Sequence, residues 1–198
     1  MTRPNATAET SETRIAVIGN SGGGKSTLAR RLAVSRGLPL VEVDALLWRP
    51  GWQLASTVEY ERAHAEAIGR ERWLVEGLGR LESIPDRLRR ATEIILVDMP
   101  VDVHVRLASE RHAAWEAGTL RFPPASMMRP PPLPALLGTI REVDRTWMPD
   151  IRRWVTGVEE GGITVKRITS LAELGDFGRA VPDPPRDALA TTGEMPPC

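Results

Sequence analysis

Short apolar runs rich in β-branched residues recur along the chain. The runs at 14–19 (RIAVIG) and 93–98 (EIILVD) are apolar at nearly every position, without the alternation of a half-exposed strand. This pattern is typical of a parallel strand that is buried on both faces of its sheet. The segments 38–44 (LPLVEVD), 72–77 (RWLVEG) and 162–168 (GITVKRI) resemble these two runs and complete a set of five predicted strands.

Segments with helical spacing of apolar residues, or rich in Ala, Glu and Arg, lie between the strands. We expect Pro85 to delay or kink one of these helices and Pro149 to interrupt another. Alternating strands and helices predict an α/β fold in which a five-stranded parallel sheet lies between two layers of helices. The predicted helices span 25–35, 56–70, 81–92, 101–117, 135–156 and 170–177.

Three segments break the alternation. Residues 118–134 contain six prolines and predict a long excursion without regular structure. Residues 1–12 are small and polar, residues 181–198 are proline-rich, and both segments are expected to be disordered tails. The remaining chain, residues 13–180, is then a single domain that carries the excursion as a lid-like insertion.

Composition limits the classes of partner. Lys and Arg total 26 and so do Asp and Glu, giving a net charge of zero, whereas proteins built to bind nucleic acid usually have a basic excess. The single cysteine, Cys198, excludes an internal disulfide and a cysteine-based zinc site. No apolar run reaches the ~18 residues of a membrane span, so we expect a soluble, cytoplasmic protein without a membrane partner.

Residues 19–26 fit the pattern G-x-x-x-x-G-K-[ST] at every fixed position, after a predicted strand and at the start of a predicted helix. Glycines allow successive backbone N–H groups to turn towards phosphate oxygens, and the helix N-terminus favours the same anions. The segment predicts a binding loop for ATP with Mg²⁺, in which Lys25 reaches the β- and γ-phosphates and the Ser26 hydroxyl binds the cation. The predicted nucleotide-binding residues of this loop are Gly19, Asn20, Ser21, Gly22, Gly23, Gly24, Lys25, Ser26 and Thr27.

Acidic residues end three predicted strands, at Asp44, Glu76 and Asp98. Ligands of open α/β sheets bind outside the C-terminal ends of strands, so each acid is a candidate for the site, although such acids also cap helices. If the strand ending at Glu76 neighbours the phosphate-loop strand, its carboxylate can hold a magnesium-bound water or orient an acceptor hydroxyl. Asp44 is a second candidate for the magnesium site.

Aromatic and cationic residues follow Asp44 directly. Trp48, Arg49 and Trp52 could form the floor of a pocket for a phosphate acceptor, or the two tryptophans could simply pack under a loop. Arginines are also expected at the site, because forked guanidinium groups neutralise the charge that develops on a transferred phosphoryl group. The candidates are the arginines beside predicted loops, namely Arg80, Arg106, Arg111, Arg141 and Arg145.

With these motifs the chain resembles adenylate-kinase-like P-loop kinases, and more closely the bacterial proteins named "DNA topology modulation protein". The resemblance is carried by the phosphate loop, by the segment 44–52 (DALLWRPGW) and by the strand end 73–77 (WLVEG). It is clear over residues 14–98 and weak from there to about 168. It implies a three-layer αβα P-loop NTPase fold of the nucleoside monophosphate kinase type.

The resemblance also implies roles for individual residues. Arg80 would bind the phosphate of an acceptor and, with Lys25, Glu76 and Arg111, would belong to the catalytic set. Arg106 would face the nucleotide, and the segment 118–134 would occupy the position of a lid. Asp44, Trp48, Arg49, Trp52, Arg80, Arg141 and Arg145 would contact the acceptor.

The chain departs from the family pattern in three places, one of which is Leu78-Gly79, where the family has Asn-Tyr after the glycine. Glu76 stands where an aspartate is usual, and its longer side chain is expected to hold the carboxylate further from the phosphate loop. The lid segment matches no kinase lid by residue. The prediction is therefore a kinase for a small-molecule acceptor, such as a nucleotide, nucleoside or sugar. The alternatives are a nucleotide-dependent switch that acts on a macromolecular partner such as DNA, and a domain that has lost turnover.

Overall fold

A computed structural model describes residues 12–120 and 129–181. Five parallel strands form one sheet, in the spatial order β2–β5–β1–β6–β7, and two short strands, β3 and β4, form a separate antiparallel hairpin. All five strands expected from the sequence are present, and the α/β prediction is confirmed. The strands are β1 (Thr13–Gly19), β2 (Leu40–Glu42), β3 (Trp48–Arg49), β4 (Gln53–Leu54), β5 (Arg72–Glu76), β6 (Glu93–Val97) and β7 (Thr164–Ile168).

Helices cover both faces of the sheet. The expected delay at Pro85 is observed, because a 3₁₀ turn at Leu81–Ser83 precedes the helix. The expected interruption near Pro149 is also observed, with two helices meeting at Trp147. The helices are α1 (Lys25–Arg36), α2 (Val43–Leu47), α3 (Thr57–Gly69), α4 (Ile84–Arg90), α5 (Val101–Glu116), α6 (Leu133–Thr146), α7 (Met148–Glu160) and α8 (Leu171–Ala180).

The central strand β1 is buried on both faces, as its uninterrupted apolar pattern predicts. Ile15 and Val17 pack with the core on the side of α1, whereas Ala16 and Ile18 pack with the core on the side of α4 and α7. Because successive side chains of a strand point to opposite faces, one apolar run supplies both cores. Packing on both faces holds β1 in place, and the phosphate loop begins where this strand ends.

The strand predicted at 38–44 is shorter than expected. β2 ends at Glu42, and Asp44 lies in the first turn of the short helix α2 instead of at a strand end. Val43 and Leu47, four residues apart, are both buried, so the helical period overrides the extended pattern here. The hairpin of β3 and β4 follows α2 directly and was not predicted.

Several predictions fall outside the described residues. Apart from Glu12 and Val181, the two predicted tails lie beyond the described ranges, as do residues 121–128 of the predicted excursion. Among residues 12–120 and 129–181, none of the helices combines the length and apolar character that a membrane span requires.

A buried histidine makes the fold sensitive to acid. His64 in α3 stacks on Tyr60 with a ring-centroid distance of 5.7 Å, and only 4% of its surface is exposed. Burial, helped by the nearby Arg87 charge, lowers the pKa of His64 from 6.5 to about 4. Between these pH values the unfolded chain binds the proton and the folded chain does not, so stability is lost as pH falls from 6.5 towards 4.

We predict that His64→Phe removes part of this acid sensitivity, because a phenyl ring keeps the stacking and cannot bind a proton. At pH 4 the folded wild type carries a penalty of up to about 3 kcal/mol from this group, which the variant lacks. Urea unfolding at pH 7, 5.5 and 4.5 measures the difference. A free-energy gap between the two proteins that stays constant with pH would contradict the assignment.

Candidate active site

The phosphate loop connects β1 to α1 through backbone conformations that favour glycine. Gly19, Gly22 and Gly24 have φ angles of 143°, 81° and 77°, in the region that side chains disfavour. At Gly22 a Cβ would also lie 2.5 Å from the carbonyl oxygen of His104. The glycines therefore permit both the tight turn and the close packing of the loop against α5.

Lys25 is buried at the start of α1 and points back across the loop. Its Nζ donates a hydrogen bond to the backbone oxygen of Asn20 at 2.8 Å, and only 7% of its surface is exposed. Burial lowers the pKa of Lys25, while the negative charges of Glu76 and Asp44 raise it and the charge of Arg111 lowers it further. The buried ammonium group thus lies against the backbone of the phosphate loop, within range of two carboxylate charges.

Glu76 contacts the phosphate loop directly. It ends β5, which pairs with β1 so that Glu76 is in register with Val17, and its Oε1 accepts a 2.8 Å hydrogen bond from the Ser26 hydroxyl. The strand adjacency on which the sequence argument depended is therefore present. The expectation that the longer acid sits further from the loop is wrong, because the extra methylene group brings the carboxylate to Ser26.

The Glu76 carboxylate is almost completely buried, with 3% of its surface exposed. Burial raises its pKa to about 7; Lys25 and the hydrogen bond from Ser26 counteract this, and the charges of Asp44 and Glu42 add to it. Its second oxygen, Oε2, has no hydrogen-bond partner among the described residues. A buried acceptor atom beside the phosphate loop is suited to a ligand proton or to a water bound to a cation.

Two contacts that the sequence did not predict hold the loop from outside. His104 of α5 donates from Nδ1 to the backbone oxygen of Ser21 at 2.9 Å, and burial lowers its pKa. The buried Asn20 side chain donates to the backbone oxygen of Ile140 in α6 at 2.7 Å, and its Oδ1 accepts from the Ser21 N–H. The Asn20 side chain therefore serves the loop's own structure.

Asp44 lies at the front of the site, on α2. Its Oδ1 is 3.6 Å from the position that a Cβ of Gly77 would take, so the carboxylate borders the end of β5. The residue is exposed, and its carboxylate has no hydrogen-bond partner among the described residues. Its charge acts on both Lys25 and Glu76. The structure thus places the Asp44 charge close enough to influence Lys25 and Glu76, the two catalytic candidates at the loop.

The tryptophans of the hairpin form an aromatic cluster. Trp48 and Trp52 meet edge to face with ring centroids 5.6 Å apart, and Trp52 lies 6.3 Å from Trp115 of α5. The indole N–H of Trp52 donates to the backbone oxygen of Arg129 at 3.2 Å. The two tryptophans therefore pack as the sequence allowed in its alternative to a pocket floor. Both also keep part of their surface exposed.

Arg80 ends the short loop of residues 77–80 that follows β5. Its Nη2 donates to the backbone oxygen of Ala55 at 3.0 Å, and its guanidinium lies 5.7 Å from the ring centre of Tyr60. Tyr60 also accepts a hydrogen bond from the Arg80 N–H at 3.2 Å. The side chain is half-buried and held by the elements next to the hairpin.

The two α5 arginines differ in their position relative to the phosphate loop. Arg111 is seven residues beyond His104, so both lie on one face of the helix, and its charge acts on Lys25. Arg106 is only two residues beyond His104, which turns it away from that face, and it pairs with Glu110 at 3.6 Å. The structure therefore does not bring Arg106 to the predicted nucleotide site.

The remaining predicted residues are on the surface. Arg49 is 3.9 Å from Glu59, and Arg145 pairs with Glu142 on its own helix. Arg141 and Thr27 are exposed, and no contact joins either of them to the loop among the described residues. The roles of these four residues at the site remain predictions, because the described part of the chain shows no side-chain contact between them and the phosphate loop.

Asp98, the third strand-end acid, has a structural partner. Arg152 of α7 donates two hydrogen bonds to its carboxylate, from Nε to Oδ2 at 2.8 Å and from Nη2 to Oδ1 at 2.7 Å. This pairing ties α7 to the end of β6 and occupies the carboxylate. The sequence alone did not show which of Glu76 and Asp98 belongs to the site. The contacts do, because Asp98 pairs with Arg152 and Glu76 contacts the phosphate loop.

The residues at the loop fit a nucleoside triphosphate with a hard divalent cation. The glycine turn leaves backbone N–H groups for phosphates, Lys25 supplies charge, and Ser26 with the free oxygen of Glu76 supplies oxygen ligands. The described residues contain no cluster of three acids, histidines or cysteines that could hold a metal alone. A cation here would therefore depend on phosphate oxygens and water, as Mg²⁺ commonly does.

Solved structures of two kinases are among those that share this fold over most of their length. A gluconokinase from Sinorhizobium meliloti 1021 matches with a TM-score of 0.51 and 20% identity over 91% of this chain and 93% of that one. A shikimate kinase from Acinetobacter baumannii, in complex with shikimate, matches with a TM-score of 0.53 and 13% identity over 85% and 90%. At these identities the likeness shows the fold, an αβα P-loop kinase fold. No protein-family model matches the chain, and no curated protein matches it.

Proposed function

We propose that this protein is an ATP-dependent kinase that transfers the γ-phosphoryl group of ATP to a hydroxyl group of a small molecule. The observation that carries the proposal is the contact between Ser26 and Glu76 beside the buried Lys25. It joins a phosphate-binding loop to a carboxyl group that can accept a proton.

In the proposed reaction the acceptor oxygen attacks the γ-phosphorus, the bond to the bridging β–γ oxygen breaks, and ADP leaves. The hydroxyl proton moves to Glu76, whose pKa of about 7 suits a group that must take up a proton near neutral pH. Lys25 stabilises the negative charge on the phosphoryl oxygens, and we assign Arg80 and Arg111 to the same task. Bound Mg²⁺ would neutralise charge on the β- and γ-phosphates, held through Ser26 and a water on Glu76.

The acceptor would bind at the front of the site, between α2, the hairpin and the 77–80 loop. Asp44 offers a carboxylate without a hydrogen-bond partner among the described residues, which suits an acceptor hydroxyl. Trp48 and Trp52 offer partly exposed rings, and Arg49 and Arg80 offer positive charge for an anionic group. Arg141 and Arg145 of α6 complete the set of proposed acceptor contacts.

The proposal predicts acceptor-dependent release of ADP from magnesium-ATP. We would screen gluconate, shikimate, other sugar acids, sugars, nucleosides and nucleoside monophosphates, since a gluconokinase and a shikimate kinase are among the structural neighbours. One acceptor class should raise turnover far above hydrolysis by water. With that acceptor, Asp44→Asn should raise the acceptor KM about tenfold, the loss of one charged hydrogen bond, and leave the KM for ATP unchanged. Slow hydrolysis that no acceptor changes would overturn the kinase proposal.

We also propose membership of the family of DNA topology modulation proteins, on the basis of the phosphate loop, the segment 44–52 and the strand end 73–77. The second of these segments covers α2 and the hairpin. The family's name suggests an action on DNA, which would make the protein a nucleotide-dependent switch. A salt-sensitive mobility shift of duplex DNA, together with hydrolysis that is independent of acceptor, would favour that function over a kinase.

A further inference from the structure

An arginine that the sequence analysis did not single out lies buried behind the site. Arg87 of α4 has 0% of its surface exposed. Its Nη2 donates to the backbone oxygens of Gly77 and Leu78, at 2.9 and 3.3 Å. The other two nitrogens, Nε and Nη1, have no hydrogen-bond partner among the described residues. In the described part of the chain, all hydrogen bonds of this side chain therefore go to the 77–80 loop.

A buried guanidinium group destabilises a protein core unless its charge is compensated. Transfer of a charge from water costs several kcal/mol unless a counter-charge and hydrogen bonds compensate it, and an apolar residue of similar volume often stabilises such a position equally well or better. No carboxylate lies within ion-pair distance of Arg87 in the described part of the chain. Burial lowers the pKa of Arg87, and Tyr60, Glu76 and Asp44 oppose this from a distance. The negative charges that oppose the effect of burial on Arg87 are therefore those of Glu76 and Asp44, the two carboxylates of the site.

The opposite end of the same loop is held by Tyr60. Its hydroxyl accepts from the Arg80 N–H at 3.2 Å and lies 2.9 Å from the Ser83 hydroxyl. At Gly79, with φ of 67°, a Cβ would lie 2.0 Å from that hydroxyl, so only glycine allows the approach. The loop is thus pinned at its first two carbonyl groups by Arg87 and at its last N–H group by Tyr60.

We propose that Arg87 is a positioning residue for phosphoryl transfer, whose guanidinium holds the carbonyl groups of Gly77 and Leu78 and thereby fixes the 77–80 loop between Glu76 and Arg80. The proposal rests on the proposed function, because Glu76 precedes the loop and Arg80 ends it. A displacement of reacting groups by about 1 Å can cost 100-fold in rate, so a buried clamp on this loop would affect acceptor turnover strongly. The phosphate loop is held separately, by His104 and Asn20.

The test compares Arg87→Met, which removes the donors and the charge, with Arg87→Lys, which keeps the charge and one set of donors. The matched control is Arg89→Met, the same change two residues along α4, at an arginine on the surface. We expect Arg87→Met to lower acceptor-dependent kcat about 100-fold with the Kd for ATP changed less than threefold. Arg87→Lys should recover part of the loss, and the control should match the wild type.

Hydrogen exchange of the backbone amides makes the test independent of an acceptor. If Arg87 clamps the loop, peptides covering residues 77–83 should exchange faster in Arg87→Met than in the control, while peptides covering residues 15–30 stay unchanged. A kinetic loss that affects ATP binding equally, or unchanged exchange at 77–83, would overturn the positioning role and leave Arg87 as a core residue. If exchange rises at 77–83 but no acceptor supports turnover even in the wild type, the clamp stands and the kinase proposal fails.

Discussion

Lys25→Ala is expected to lower acceptor-dependent turnover about 1000-fold. Preorganised positive groups at the site of developing charge contribute on this scale, because they need no reorganisation during the reaction. Here the ammonium is already held over the loop by the backbone oxygen of Asn20, with 7% of its surface exposed. The measurement is steady-state ADP release with the acceptor found in the screen, together with the Kd for ATP.

The chain offers a matched control for this change. Its only other lysine is Lys166, exposed on β7, so Lys166→Ala makes the same substitution away from the loop. Turnover of the control should equal that of the wild type. If Lys25→Ala also retained its activity, the phosphate loop would not be where transfer takes place, and the proposed function would lose its basis.

Glu76→Gln is expected to produce a loss of similar size, about 1000-fold in kcat, since positioned proton transfer contributes between 100-fold and 10,000-fold. Glutamine keeps the length of the side chain and can still accept the hydrogen bond from Ser26, so ATP binding should change little. What it loses is the ability to take the acceptor proton and the negative charge beside the cation site. The measurement is kcat with saturating acceptor and magnesium-ATP.

The control for Glu76→Gln is Asp98→Asn, the same change from acid to amide at the end of β6, which lies on the other side of β1 from β5. Asp98 is held by Arg152, so the control should weaken the attachment of α7 and lower thermal stability while kcat is retained. Equal losses of kcat in both variants would mean that disturbance of the sheet edge, and not proton transfer, explains the effect. Full activity of Glu76→Gln would remove Glu76 from the catalytic set.

The elements that could be predicted from sequence are those defined by local pattern. The strand at 14–19, the glycine turn and Lys25 follow from apolar runs and from the spacing of the loop, and the structure has them in the expected places. The placement of Glu76 beside Ser26 depended on the order of strands, which a sequence does not state. The sequence left the adjacency of these two strands as a condition, and the pairing of β1 with β5 meets it.

Other features could not be predicted, because they arise from contacts between distant segments. Arg87 lies in the segment 84–90 (IPDRLRR) among other arginines, and only tertiary packing distinguishes the buried one from its exposed neighbours. The Trp52–Trp115 contact and the hydrogen bond from Asn20 to Ile140 join residues far apart in the chain. The helix at α2 was missed because a single buried i, i+4 pair is too short a signal to override an extended pattern.

The hairpin of β3 and β4 forms a sheet of its own, and in the described part of the chain its strands pair only with each other. Because the hairpin shares no strand pairing with the main sheet, we expect substitution within it to leave the ladder of that sheet intact. Under the proposed function, natural variation in this insert could exchange one substrate for another while the use of ATP was conserved. Paralogues that share the sheet and differ in the hairpin would then divide into groups by metabolite, and transplanting the hairpin between them would be a direct route to altered selectivity.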